Sequence, residues 1–501
     1  MGRWPRSVRD GSWIWLLAAV GLAYLFWQPL WHGAGLIGGD VYSYFLPQKT
    51  WYASRLDAGE FPLWNPLVGH GYPLLGESQT AAFSPFNLAA YRLFDVNTAY
   101  NVVQLAHYVL CFVFTWLLAR RLELSRPAAG LAAIVFTFAW FPPRITLEWA
   151  ITTGTWLPAA AWCVESYLVT RRLRYALGLS VVLALQMLAG HYNLAFITQV
   201  TLIVYTAARL LLAPRRTDFQ SVHSAERPRS QTTGRTGSPS DGGTAASHVA
   251  PRLEGRQAGR PSPRVRATLV LGGALIAGFG LAAVQLAPSW ELKQLSQRAS
   301  VGRHHEPGEL HIPVRAWSQL VVPWEWFTET EDPFPALLPA GAPKTNRTEA
   351  HLYFGLVPLA LVAFAILGGL WWRDRRWRIW AVLGAGTLIY ATGWLVPVTR
   401  HLPGFSFFLG PARFSLVTTL AAALLAAAAL DCVLGRARRA AAFVLAVLVL
   451  TATAGDLLLV SEALRGKVYW ILQTPGPELI DASPVRRVLA GADQPVRVFG
   501  R

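Results

Sequence analysis

The chain has 501 residues, 53% of them apolar and only 15% charged, with a formal net charge of +17 and a mean hydropathy of +0.33. A soluble chain of that length would carry far more charge on its surface, so a set of soluble globular domains is excluded. The positive excess lies in short Arg clusters between apolar segments, which gives no reason to invoke nucleic acid as a partner.

A bilayer core takes roughly 20 apolar residues of helix at ~1.5 Å each. Reading by that window predicts about eleven spans, near 12–30, 99–119, 127–141, 151–169, 175–190, 193–213, 267–287, 351–371, 379–396, 413–432 and 440–460. The fold class expected is therefore an all-α polytopic membrane protein. Trp is abundant, at 22 residues, as many lipid–water boundaries require. Cys111, Cys163 and Cys432 fall inside apolar runs and imply neither a disulfide framework nor a zinc site. The first apolar stretch is too long for a cleaved signal, and Gln28-Pro29-Leu30-Trp31 lacks a small-residue cleavage pattern.

Arg3, Arg6 and Arg9 precede the first span. Arg120-Arg121, Arg171-Arg172 with Arg174, Arg373 to Arg378, and Arg436 to Arg439 follow even-numbered ones. All fall on one side if the amino terminus is cytoplasmic. Residues 1–213 then form an amino-terminal membrane region whose first outer loop is 31–98, and 267–460 a second region with an outer loop at 288–350. Between them, 214–266 holds ten Arg against four acids in a Ser, Thr, Gly and Pro background, and is expected to be a disordered cytoplasmic insertion. The tail 461–501 stops in a strand-like pattern, Val496 to Arg501, which leads to the expectation of a truncated extracytoplasmic part.

The first outer loop is the most informative stretch. It reads Gly38-Gly39-Asp40-Val41-Tyr42-Ser43-Tyr44-Phe45-Leu46-Pro47, then Gly69-His70-Gly71-Tyr72-Pro73, Gly76-Glu77-Ser78-Gln79 and Ser84-Pro85-Phe86-Asn87. Pro47 can open a helix running to about Asp57, with Trp51, Tyr52 and Leu56 on a lipid-seeking face, and a second short helix is expected over 85–94.

A long first loop with an aspartate just past the first span and two juxtamembrane helices resembles the membrane-embedded GT-C glycosyltransferases, and its wording resembles the bacterial YfhO family within them. Arg144, Trp156-Leu157-Pro158, Gly190-His191, Pro288 with Glu291, Ser296 and Arg298, His351 to Gly355, and Pro403 to Phe414 continue that resemblance in order over about 30–460. His191 is followed by Tyr192-Asn193 where the family pattern has Pro-Gln, and the family's longer carboxy-terminal part has no counterpart. The resemblance implies transfer of a sugar from a polyprenyl-phosphate carrier to a glycan or lipid acceptor at the outer face of a bacterial cytoplasmic membrane.

That chemistry needs a base for the acceptor hydroxyl and cations for the departing lipid phosphate. Asp40 is the candidate base, although Asp after two glycines also suits a cap or turn. Glu77 is a candidate second carboxylate; should a divalent metal be used, Asp40 and Glu77 are the residues to hold it. Arg413, at the predicted outer boundary of the tenth span, is the leading phosphate ligand, or else a snorkelling anchor, with Arg144 and Arg298 as further candidates. His70, His191 and Glu291 are candidate sugar or acceptor contacts; His191 equally suits a cap on helix 175–190, and Glu291 is expected to pair with a basic residue. A transporter or lipid flippase is the main alternative, but its ionisable groups belong at midplane, whereas Glu165, Asp431 and Asp456 sit toward span ends. A non-catalytic membrane scaffold is the third reading.

Overall fold

The computed structural model of the chain describes residues 12–68, 70–212, 262–296, 307–327, 332, 338 and 344–473. Helix α1 (Trp13–Trp31) leads into strand β1 (Gly35–Ile37) and a π-turn at Val41–Phe45. Its kink at Trp27 precedes Pro29, whose ring removes a backbone donor. Helices α2 (Leu46–Asp57) and α3 (Pro85–Leu93) occupy the 31–98 loop, each with Pro in its opening turn. Asp95 caps α4 (Val96–Arg121) by accepting from the amides of Asn97 and Thr98.

There follow α5 (Arg126–Trp140), the short α6 (Glu148–Gly154), α7 (Trp156–Thr170), α8 (Leu173–Leu188) and α9 (Tyr192–Leu211). The second half contains α10 (Pro263–Leu281), α11 (Ala283–Leu295), α12 (Leu356–Leu367), α13 (Arg375–Ala391), α14 (Ser415–Leu434) and α15 (Arg439–Leu464). Strand β2 (Trp470–Leu472) returns to pair antiparallel with β1.

Each of the eleven expected segments holds a helix, but their lengths divide them. Six described helices are long and apolar enough to cross a membrane: α1, α4, α9, α10, α14 with the preceding Pro411 turn, and α15. The others are shorter, and α5 shows why. It packs between α4, α14 and α15 and is buried along nearly its whole length, so its partners are helices and it need not match a lipid thickness. The Ala-rich α14 lies at the centre, against α5, α12 and α13; a Cβ at Gly384 on α13 would stand 2.7 Å from that of Ala421. Around this core Leu177, Ile276, Leu367 and Phe443 point outward and are exposed, as a bilayer solvent favours.

The basic clusters gather at one end of the bundle. Arg376 Nη1 meets Glu123 at 2.6 Å, Asp431 accepts from the amide of Ser125, and Arg209 pairs with buried Glu165 at 2.5 Å. The large loops lie at the other end.

Three expectations change. The stripe Tyr52, Leu56 does not seek lipid: both are buried with Leu74, Ala90, Tyr91 and Val103, because an amphipathic face fits a protein partner as well as a bilayer. Of the predicted insertion 214–266, residues 263–266 already belong to α10, which Ser262 caps; 213–261 lie outside the described residues. The tail begins still helical, to Leu464, before β2, and the strand-like Val496 to Arg501 lies outside the described residues.

Candidate functional site

At Pro142-Pro143 helix α5 stops, since neither residue can donate to the preceding turn. The chain passes through a 3-10 turn, Pro142–Arg144, into α6. Four buried side chains in this short stretch, Arg144, Thr146, Glu148 and Trp149, each meet a different part of the protein.

Arg144 donates from Nη1 to the carbonyl of Trp140 at 2.9 Å, and from Nη2 to the carbonyls of Glu349 at 2.9 Å and His351 at 3.2 Å. Burial pushes its guanidinium down to about 9, with the charge of Arg413 adding to the fall and that of Glu349 opposing it. Its two Nη groups donate to backbone while its Nε has no partner among the described residues, and it staples the segment 349–351 to the end of α5.

Thr146 abuts the segment before Asp40. A Cβ on Gly39 would stand 2.9 Å from Thr146 Oγ1, and one on Gly38 would stand 3.0 Å from the carbonyl of Val468, so both positions need glycine. Asp40 itself is exposed at the start of the π-turn, and its carboxylate makes no capping bond. Asp40 thus stands in the turn closed by the Val41 amide on the Gly38 carbonyl at 3.1 Å, as the turn alternative expects, without a side-chain cap. Pairing of Gly35 with Leu472 and of Ile37 with Trp470 fixes the strand leading into it.

Glu148 accepts from Lys49 Nζ at 2.8 Å, and Lys49 also donates to the carbonyl of Thr80 at 2.8 Å. Burial raises the Glu148 carboxyl above the ordinary range; Lys49 pulls the other way.

Trp149 carries the remaining cluster. The His191 ring stacks on it with centroids 3.8 Å apart and planes 12° from parallel, and Arg413 Cζ lies 4.5 Å from its centroid. Arg413 Nη1 and His191 Nε2 are 3.4 Å apart, so cation and imidazole lie side by side on one face of the indole. Glu349 grips Arg413 through Nη2 at 2.6 Å and Nε at 3.1 Å. His191 precedes α9 without a side-chain cap, and α8 ends at Ala189, so neither helix uses it as a cap.

Thr146 thus touches the segment before Asp40 while Trp149 carries the Arg413–His191 pair, and the Cα atoms of Thr146 and Trp149 are at most ~11 Å apart along the chain. Of the other candidates, Glu77 precedes Ser78, whose hydroxyl donates to the carbonyl of Gly190 beside His191 at 2.8 Å. Half-buried Glu77 accepts from the Gln79 amide at 2.9 Å and side chain at 2.8 Å. Tyr44 meets Tyr72 at 3.1 Å; burial first, then the charge of Glu77, holds its phenol well above the ordinary range. His70 is exposed in the turn before Tyr72. Glu291 is exposed on α11 and makes no ion pair among the described residues. Arg298 lies outside the described residues. Among the described residues no group of three or more His, Cys, Asp or Glu side chains is gathered for a metal.

Sequence reasoning missed Trp149, Glu349, Lys49 and Glu148. Lys49 carried a readable signal: it lies on the same stripe as Tyr52, Ala53 and Leu56, where a charge is out of place unless paired.

No protein-family model matches the chain, and no curated relative matches it. Among solved structures, the oligosaccharyltransferase of Archaeoglobus fulgidus, tethered by a disulfide to an acceptor peptide containing the NVT sequon, is similar over 92% of this chain and 56% of its own, with a TM-score of 0.47 and 14% identity. The chain spans just over half the length of that structure.

Proposed function

We propose that this chain is a membrane-embedded glycosyltransferase of the GT-C type, moving a sugar from a polyprenyl-phosphate carrier to an extracytoplasmic glycan or lipid. The observation that carries the reading is the exposed Asp40 carboxylate, which follows Gly39 where that residue packs on Thr146, while Trp149 three residues along bears Arg413 and His191.

In this reading the acceptor hydroxyl attacks the anomeric carbon and gives its proton to Asp40. The bond from that carbon to the phosphate oxygen breaks, its electron pair leaves with the lipid phosphate, and the anomeric centre inverts. Arg413 holds the departing phosphate; its planar fork, now on Glu349, suits a phosphate equally well. Trp149 keeps the guanidinium flat and in place, and His191 offers a neighbouring ring nitrogen for a sugar or phosphate oxygen. Arg144 holds the Glu349 backbone and so sets the wall on which Arg413 rests.

The test is Asp40→Asn in cells lacking the chromosomal copy, read by mass spectrometry of envelope glycans. Loss of a glycan species at normal membrane abundance is expected. An unchanged glycan profile, in a strain where deletion does change it, overturns the assignment.

A further inference from the structure

The ion pair between Lys49 and Glu148 takes no part in the chemistry above, yet it is the most deeply buried pair among the described residues. The two side chains are 0% and 3% exposed and meet at 2.8 Å. Lys49 also binds the carbonyl of Thr80 at 2.8 Å and lies 5.3 Å from the Tyr91 ring centroid. Three elements of the outer face are therefore tied at one ammonium: α2, the turn around Thr80 and the start of α6.

Stability alone does not account for such a pair. Desolvating two charges consumes most of their attraction, and an apolar pair of equal volume commonly serves as well or better. Here Glu148 Oε2, Thr80 Oγ1 and Tyr91 Oη are also buried without a hydrogen-bond partner among the described residues, an additional cost. What an ion pair supplies and an apolar contact does not is a fixed register between the elements it joins.

The register that matters is that of Asp40. The π-turn Val41–Phe45 runs without a break into α2, so a slide or rotation of α2 moves Asp40 with it. Gly39 rests on Thr146, two residues before Glu148.

We propose that Lys49 and Glu148 form a positioning pair that fixes where Asp40 stands against the segment carrying Trp149. The geometric part stands by itself; the consequence for transfer rests on the glycosyltransferase reading.

The experiment has a geometric arm and a chemical one. Asp40→Cys, in the full chain in membrane vesicles, is labelled with a membrane-impermeant maleimide; Cys111 and Cys163 are buried, and Cys432 is replaced by Ser. Placing Lys49→Met with Glu148→Met in that background is expected to change the labelling rate about fivefold or more at an unchanged melting temperature, since methionines pack without a fixed register. Lys49→Arg with Glu148→Asp, which keeps the charges, is expected to restore the original rate, and it remains informative if the Met pair fails to fold. With Asp40 intact, the Met pair is expected to lower the glycan product by about tenfold and the Arg–Asp pair to retain most of it.

Equal labelling rates in all folded variants overturn the proposal whatever the reaction is. A changed rate with full product, where Asp40→Asn abolishes product, overturns it as well. If Asp40→Asn leaves product intact, the transferase reading fails while the labelling arm still decides the positioning.

Discussion

Arg413 and Glu349 form a two-point pair, with Nη2 2.6 Å from Oε1 and Nε 3.1 and 3.2 Å from the two carboxylate oxygens, both side chains being almost buried. Removing one partner leaves the other charge desolvated. Arg413→Gln is therefore expected to lower stability by roughly 3–5 kcal/mol and to abolish glycan product. Arg413→Lys returns the charge without the fork; it should recover part of the melting temperature while product stays about tenfold or more below wild type. Melting curves beside glycan mass spectrometry separate the two losses. Full product from Arg413→Lys would mean that a point charge suffices and that the fork plays no part.

Gly190 is the joint between the first outer loop and the α8–α9 turn. Its φ is +84°, and a Cβ there would lie 2.0 Å from the carbonyl oxygen of Ser78, whose own hydroxyl donates to the Gly190 carbonyl at 2.8 Å. Both backbone strain and a backbone clash oppose any side chain. Gly190→Ala is expected to cost roughly 2–4 kcal/mol and to lower the melting temperature accordingly. Because His191 follows directly, its stacking on Trp149 should loosen too, visible as a change in tryptophan fluorescence. A variant that melts and fluoresces like wild type would show that the loop is not pinned there.

Helices were the legible part of this chain, and their partners were not. Pro47 and Pro85 mark helix starts within a residue of where α2 and α3 begin, while the break between α8 and α9 falls at Ala189-Gly190-His191, two residues before the expected His191-Tyr192-Asn193. Hydropathy recognises apolar residues without saying whether a helix or lipid faces them, which is why buried α5 and exposed α15 read alike. The cluster on Trp149 was illegible for another reason. Residues 149, 191, 349 and 413 meet only through tertiary packing, and neither charge count nor periodicity links them. Arg144 was singled out as an ionised group near a boundary, but two of its three carbonyl partners, Glu349 and His351, come from a distant segment that the sequence does not bring to it.

Glu148 makes stability depend on pH in a definite direction. Burial, only partly offset by Lys49, raises its folded-state carboxyl above the ordinary glutamate value of about 4.3. The folded chain then holds this proton more tightly than the unfolded one. The resulting stabilisation is complete below about pH 4 and is lost as pH rises through the folded value. Glu148→Gln removes that term, so the stability of wild type relative to Glu148→Gln should fall on going from pH 4 toward neutrality. Lys49→Met takes away the opposing influence and should extend the fall to higher pH. Melting temperatures of the three proteins across pH 4–8 check this; parallel curves would contradict it.

Charge pairs at the two ends of the bundle should behave differently when broken. Glu165, buried on α7, accepts from Arg209 Nη2 at 2.5 Å and Nε at 2.9 Å, and from the Tyr205 hydroxyl at 2.7 Å. This knot lies among the basic clusters, at the end opposite Asp40, and joins α7 to α9. Arg209→Met leaves Glu165 buried with only the tyrosine to neutralise it, which should cost roughly 3 kcal/mol or more of stability. Glycan product per folded molecule should stay at the wild-type level, because nothing in the knot touches the stretch 146–149. The double variant Arg209→Met with Glu165→Leu should recover much of the lost stability, since it removes the stranded carboxylate. Product measured against the folded fraction decides the matter: a loss of transfer in the stabilised double variant would show that the two ends of the bundle are coupled and that the active region extends beyond its outer face.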